Sequence, residues 1–195
     1  MEFLYLRNEL FALIDPYYDR DHLTRTADWM LALEPAAPEY LIIAALTHDL
    51  ERSVPGGPSF DMGSTRWDDP EYNLQHCERS AELVPGMLAE RGATAETLEA
   101  VRQPIREHEF GGSTEGDLMQ AADSLSFLEV NGRLCASWVT GGKCTREKAL
   151  TKLDWMCERP RLERAKPLAR QQHRLAVLQF DRELALAAET GAGAA

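Results

Sequence analysis

The chain has 195 residues, 44% of them hydrophobic, and its 21 Lys and Arg against 32 Asp and Glu leave a net charge of −11 with the histidines neutral. This length and apolar content predict one soluble domain around a single core, since domains usually run to roughly 100–200 residues. The acidic balance and the lack of any basic stripe argue against binding along a nucleic-acid backbone, which needs clustered positive charge.

Taken in chain order, the apolar residues fit a helical period and give no sustained alternation of two, so the expected class is all-α. The segment from Met1 to Glu9 carries acids where a secretory leader has a basic region. No apolar run reaches the ~20 residues of a membrane span, so the expected location is the cytoplasm, with no membrane partner. A first helix is predicted from about Glu2 to Ile14, stopping ahead of Asp15-Pro16 because proline disfavours helical geometry in the residue before it. A second begins near Asp21, carries Ala27, Met30, Leu31 and Leu33, and ends at Glu34-Pro35. The third starts at Pro38 and runs through Leu41 to Leu50, apolar on nearly all sides and therefore expected at the centre.

From Ser53 to about Asn73 the period dissolves into Val54-Pro55-Gly56-Gly57-Pro58 and Trp67-Asp68-Asp69-Pro70. Loops beyond about 12–15 residues are uncommon in compact domains and often serve as lids. Helices are predicted again over Leu74–Arg91 and Ala95–Glu109, with Gly92 as a stop, Thr94 as a cap and Pro104 as a kink one turn before His108. Segments from Asp117 to Val139, Thr145 to Cys157 and Pro160 to Ala188 complete the bundle, and residues 189–195 read as a flexible tail. The expected organisation is thus one domain over residues 1–188, with its C-terminal helices over 145–188. Cys77, Cys135, Cys144 and Cys157 are widely spaced and read as ordinary thiols of a reducing compartment.

The chemistry sits in the histidines. His48-Asp49 places an imidazole and a carboxylate side by side at the end of the most apolar helix, where an unpaired charge is costly to bury. By itself the pair is explained by hydrogen bonds to nearby backbone. His22, His76, His108 and Asp123, however, fall on separate predicted helices, and bundles build metal centres by projecting side chains inward from facing helices. Imidazole and carboxylate ligands suit Fe, Mn, Co, Ni or Zn, and the absence of thiolates argues against a finger-type zinc.

The order H…HD…H…H…D, with Leu46-Thr47-His48-Asp49-Leu50-Glu51-Arg52, His76-Cys77-Glu78-Arg79-Ser80-Ala81-Glu82-Leu83, Ile105-Arg106-Glu107-His108 and Ala121-Ala122-Asp123-Ser124-Leu125, resembles the HD-domain superfamily of metal-dependent phosphohydrolases over about residues 20–130. The resemblance implies a single HD-type helical bundle. It implies one or two divalent transition metal ions: His22, His48, Asp49 and Asp123 would hold the first, and His76 and His108 the second, with Asp49 bridging.

Such ions lower the pKa of bound water to near 7 and so supply a hydroxide nucleophile at neutral pH. The implied activity is hydrolysis of a small phosphate ester, a nucleotide or a phosphodiester. On this resemblance Asp49 and Arg52 would be the catalytic residues, and Arg52 and the weaker candidate Arg25 would bind substrate. Two other readings share the scaffold: a di-iron oxygenase acting on a small diol or phosphonate, and a non-catalytic metal-stabilised protein. Phe60, Trp67 and Tyr72 would either cover substrate or pack the loop onto the body, and Glu109 to Ser113 would form another wall. Beyond residue 130, Lys143, Lys148 and Lys152 carry no assigned role, and His173 reads as an ordinary helix residue. A charge of −11 opposes an extended polyanion but not a small anionic substrate drawn to bound dications.

Overall fold

The helix boundaries follow from prolines, caps and close approaches. The computed structural model describes residues 2–192, with the side chains of residues 4–190, and all regular structure among them is helical. Asp15-Pro16 separates α1 (Glu2–Ile14) from α2 (Arg20–Leu33). Leu6, Leu10 and Ile14 recur every fourth residue, so α1 buries one stripe against α3 (Glu39–Thr47). In α3 every residue from Leu41 to Thr47 is buried, as expected for a central helix. Its α-helical part ends at Thr47, earlier than the expected Leu50. The chain then passes through His48 and Asp49 into a 3-10 turn over Leu50–Ser53.

The irregular stretch is 54–69, shorter than expected, because α4 (Pro70–Ala89) starts before Leu74. Asp69 caps it by accepting from the Tyr72 backbone N–H at 2.8 Å, and Pro70 takes the first helical position, where no N–H is needed. The kinked helix expected over 95–109 is two helices, α5 (Ala95–Ala100) and α6 (Arg102–Glu107), parted at Val101. Pro104 has no N–H to offer the Ala100 carbonyl, and its ring crowds that oxygen, so the ladder breaks rather than bends.

The segment expected over 117–139 is likewise divided, into α7 (Thr114–Val130) and α8 (Gly132–Thr140). A side chain at Gly132 would sit 2.7 Å from the Ala176 carbonyl oxygen, so glycine admits the close approach of α10 (Lys166–Ala192) at the corner. Before α10 come α9 (Arg146–Glu158) and a 3-10 turn over Glu163–Ala165. The tail expected from Glu189 is helical as far as Ala192, and residues 193–195 lie outside the described ones.

α2 packs on α3 and most extensively on α7, α10 lies against α7, α8 and α9, and α6 joins α4 to α7. One continuous apolar core runs from Leu6 in α1 to Phe180 in α10. Among the described residues no helix is long and apolar enough to cross a membrane. Side chains from α2, α4 and α7 and from the C-terminal ends of α3 and α6 meet in one cluster.

Candidate metal centre

His48 and Asp49 reach the same space because they form the junction between the end of α3 at Thr47 and the 3-10 turn. His48 keeps helical angles and its Nδ1 turns back to the Ala45 carbonyl at 3.0 Å, leaving Nε2 to point beyond the helix. Asp49, at φ −100° and ψ 0°, lies in the sparsely populated bridge region, which swings its carboxylate out of the phase of α3. Its Oδ1 comes within 3.0 Å of His76 Nε2, 3.8 Å of His108 Nε2 and 4.0 Å of His48 Nε2. All four imidazoles are at most 3% exposed.

Each ring is locked by its outward nitrogen. His22 Nδ1 donates to Ser126 Oγ at 3.0 Å, since that hydroxyl spends its own proton on the His22 carbonyl. His108 Nδ1 donates to the Ile105 carbonyl at 2.6 Å, and His76 Nδ1 donates to Glu51 Oε2 at 2.8 Å. Glu51 is held in turn by an ion pair with Arg79. These bonds place a proton on each Nδ1, so in the neutral ring every Nε2 turns a lone pair inward.

The consequence is a set of acceptors facing acceptors. His22 Nε2 lies 3.0 Å from Asp123 Oδ1, His76 Nε2 lies 3.1 Å from His108 Nε2, and the buried His48 Nε2 has no hydrogen-bond partner. Lone pairs at these separations repel in a dry interior, and a cation among them removes the conflict. Two sets of three could hold an ion, namely His22, His48 and Asp49, and then Asp49, His76 and His108. Asp49 belongs to both. Asp123 stands outside either set but close by, with Oδ1 3.0 Å from His22 Nε2 and 3.6 Å from His48 Nε2.

The charges of the site are set by close neighbours. Burial opposes an ionised Asp49, yet the Arg52 guanidinium and His48 outweigh it and hold the carboxyl well below the usual range. Burial also opposes a proton on His48, but Asp49 and Asp123 raise its titration, while burial and His48 together push His108 down to about 3. Asp123 is likewise held far down against burial, chiefly by Arg159, whose two terminal nitrogens pair with Asp123 and Glu109 while Nε donates to Ser124 Oγ at 2.8 Å. Against burial, the same guanidinium brings Glu109 down to about 2.

Beside the cluster lies a cavity of about 180 Å³, reached by His22, Asp49 and Asp123 on one side. Arg52 enters it with Nε 3.0 Å from Asp49 Oδ1 and with Nη1 donating to the Tyr72 hydroxyl at 2.6 Å. The loop aromatics both line the cavity and pack the loop down: Phe60 stacks on Trp67 at 5.1 Å, and Trp67 stacks on Trp138 at 5.4 Å. Of the stretch from Glu109 to Ser113, Glu109 alone lines the cavity.

All six histidine and aspartate positions and Arg52 are therefore brought together, and Arg25 is not. It faces away into a bidentate pair with Glu129 at 2.8–3.0 Å and a contact to Asp28 at 2.5 Å. Sequence reasoning missed Glu51, Arg159 and Lys152. Glu51 had a usable signal, an acid two residues past His48-Asp49, whereas Arg159 and Lys152 had none. The chain is a helical protein with a His/Asp cluster compatible with an HD-type site. Comparison of the sequence with protein-family models and with curated proteins, and of the structure with solved structures, finds no match.

Proposed function

We propose that this chain is an HD-type, metal-dependent phosphohydrolase of a small phosphate ester, a nucleotide or a phosphodiester. The observation that carries the reading is the inward convergence of four Nε2 atoms on Asp49, one of them buried without any hydrogen-bond partner. In this reading His22, His48, Asp49 and Asp123 would hold one divalent transition metal ion, and His76, His108 and Asp49 would hold a second. When bound, such ions supply a water of lowered pKa and a Lewis acid for a phosphoryl oxygen.

The chain's own residues do the rest. Arg52 is held by Asp49 and Tyr72 at the mouth of the cluster, where its charge meets the phosphate and balances the negative charge that grows during displacement. Glu51, Ser126 and the Ala45 and Ile105 carbonyls keep the four rings aimed, so no reorientation accompanies binding. Phe60, Trp67 and Trp138 keep bulk water from the other side.

The test is metal analysis of anaerobically purified protein followed by assay with Mn or Co. Phosphate release that falls by about 10³-fold or more in Asp49→Ala is expected, because that carboxylate belongs to both ligand sets. A retained iron pair with oxygen consumption on a diol or phosphonate would assign oxidation instead, and no metal uptake on reconstitution would reject the centre.

A further inference from the structure

Three cations line the cavity, and two of them are consumed by acids. Arg159 is shared between Asp123, Glu109 and Ser124, and Arg52 lies on Asp49 with Glu109 Oε1 3.6 Å away. Lys152 differs. Among the described residues its half-buried ammonium meets no carboxylate and no hydrogen-bond acceptor, and its neighbours are rings: Trp155 at 4.3 Å, Phe127 at 4.8 Å and Trp67 at 5.8 Å. Ring faces offset part of the cost of taking an ammonium out of water, not all of it. Burial, opposed by Glu109 and reinforced by Arg159 and Arg52, lowers that ammonium to about 8, as befits an ion short of counter-charge.

One ring stands near both this ammonium and the histidine cluster. Phe127 stands with its centroid 6.0 Å from the His22 ring and 4.8 Å from Lys152 Nζ, so a molecule of a few carbons spans the gap. The space is small, about 180 Å³ against the roughly 300–1,000 Å³ of sites for drug-sized ligands. A nucleobase would also find the rings of Phe60, Trp67 and Trp138 engaged with one another.

We propose that Lys152 anchors a second anionic group of the substrate, so that the cavity selects compact phosphate esters with a carboxylate or similar anion at the end remote from the histidines. The phosphate end rests on the function proposed above; the Lys152 end rests on the unpaired ammonium and the spacing.

Two esters isolate that end. Glycerol phosphate and phosphoglycerate carry the same terminal phosphate and differ by CH2OH against a carboxylate. Their binding to the metal-loaded full chain, read by intrinsic tryptophan fluorescence and calorimetry, requires no turnover. The carboxylate ester is expected to bind at least about tenfold more tightly, with inorganic phosphate as the reference for the metal end. Lys152→Met, which keeps most of the unbranched side chain and removes the charge, should bring the two esters to within about twofold, and Lys152→Arg should retain a preference of the same sign. Equal binding of both esters by the unaltered chain overturns the proposal. So does an undiminished preference in Lys152→Met shown by circular dichroism to be folded. A preference with no phosphate release under any metal upholds the anchor and overturns hydrolysis, whereas release from both esters with no preference overturns the anchor alone.

Discussion

The two walls of the site, the histidine cluster and the far side of the cavity beside it, satisfy their polar groups in different ways. On the wall built by α2, α4, α6 and the end of α3, two rings, His48 and His108, are fixed by carbonyls three residues back in their own helix. The others are fixed by one acceptor each. On the wall supplied by α9 and the residue after it, a single guanidinium serves two buried carboxylates from other elements, and the neighbouring ammonium is left over. The first arrangement can lose one ligand at a time, because each ring is locked separately. The second stands or falls as a network, and its surplus charge is of the sign that an anion would answer.

Breaking the second wall should give the largest effect. Arg159→Met strands the Asp123 and Glu109 carboxylates, and the loss expected from urea unfolding is about 3–5 kcal/mol. Adding Glu109→Gln should recover part of it, and stability equal to that of the unaltered chain would mean that packing alone holds this wall.

On the first wall a smaller and local loss is expected. Glu51→Gln weakens the support of His76, and a cobalt titration should show about 10–100-fold weaker binding at the His76 end with the His22 end within a few fold. Equal losses at both ends would contradict the separate locking of the rings.

The smallest effect is a gain. Lys152 has its ammonium at about 8 in the fold against 10.5 for an ordinary lysine. Between those values the unfolded chain binds more protons, so stability rises with pH across that window, and the full cost is present below pH 8. Lys152→Met should therefore melt about 2–4 °C higher than the unaltered chain at pH 7, with the gap narrowing from pH 8 to 10. A lower melting temperature would mean that the rings around the ammonium already compensate it.

The same division marks what could be read in the sequence. The candidate ligands His22, His48, Asp49, His76, His108 and Asp123 were legible because the order H…HD…H…H…D carries the resemblance to HD-domain proteins, and because bundles project imidazole and carboxylate groups inward from separate helices. Helix existence was legible for the same reason of period. Boundaries were less so where a distant partner decides them: the corner at Gly132 answers to Ala176, and no local pattern announces that. Arg25, offered as a substrate residue, is explained by Glu129, which lies 104 positions away. Lys152 and Arg159 had no signature at all, since a lone cation on a helix becomes a cavity wall only through the packing of α9 on α7 and α8.

The parting of α5 and α6 at Val101 bears on how the chain tolerates changes of length. Each helical residue advances the side-chain direction by about 100°, so one residue added between Val101 and His108 would turn the imidazole away from Asp49. That segment is a metered spacer. The irregular stretch 54–69, which joins Glu51 to the cap of α4, sets no such phase, and insertions there would reshape the mouth of the cavity while leaving the aim of every ligand intact.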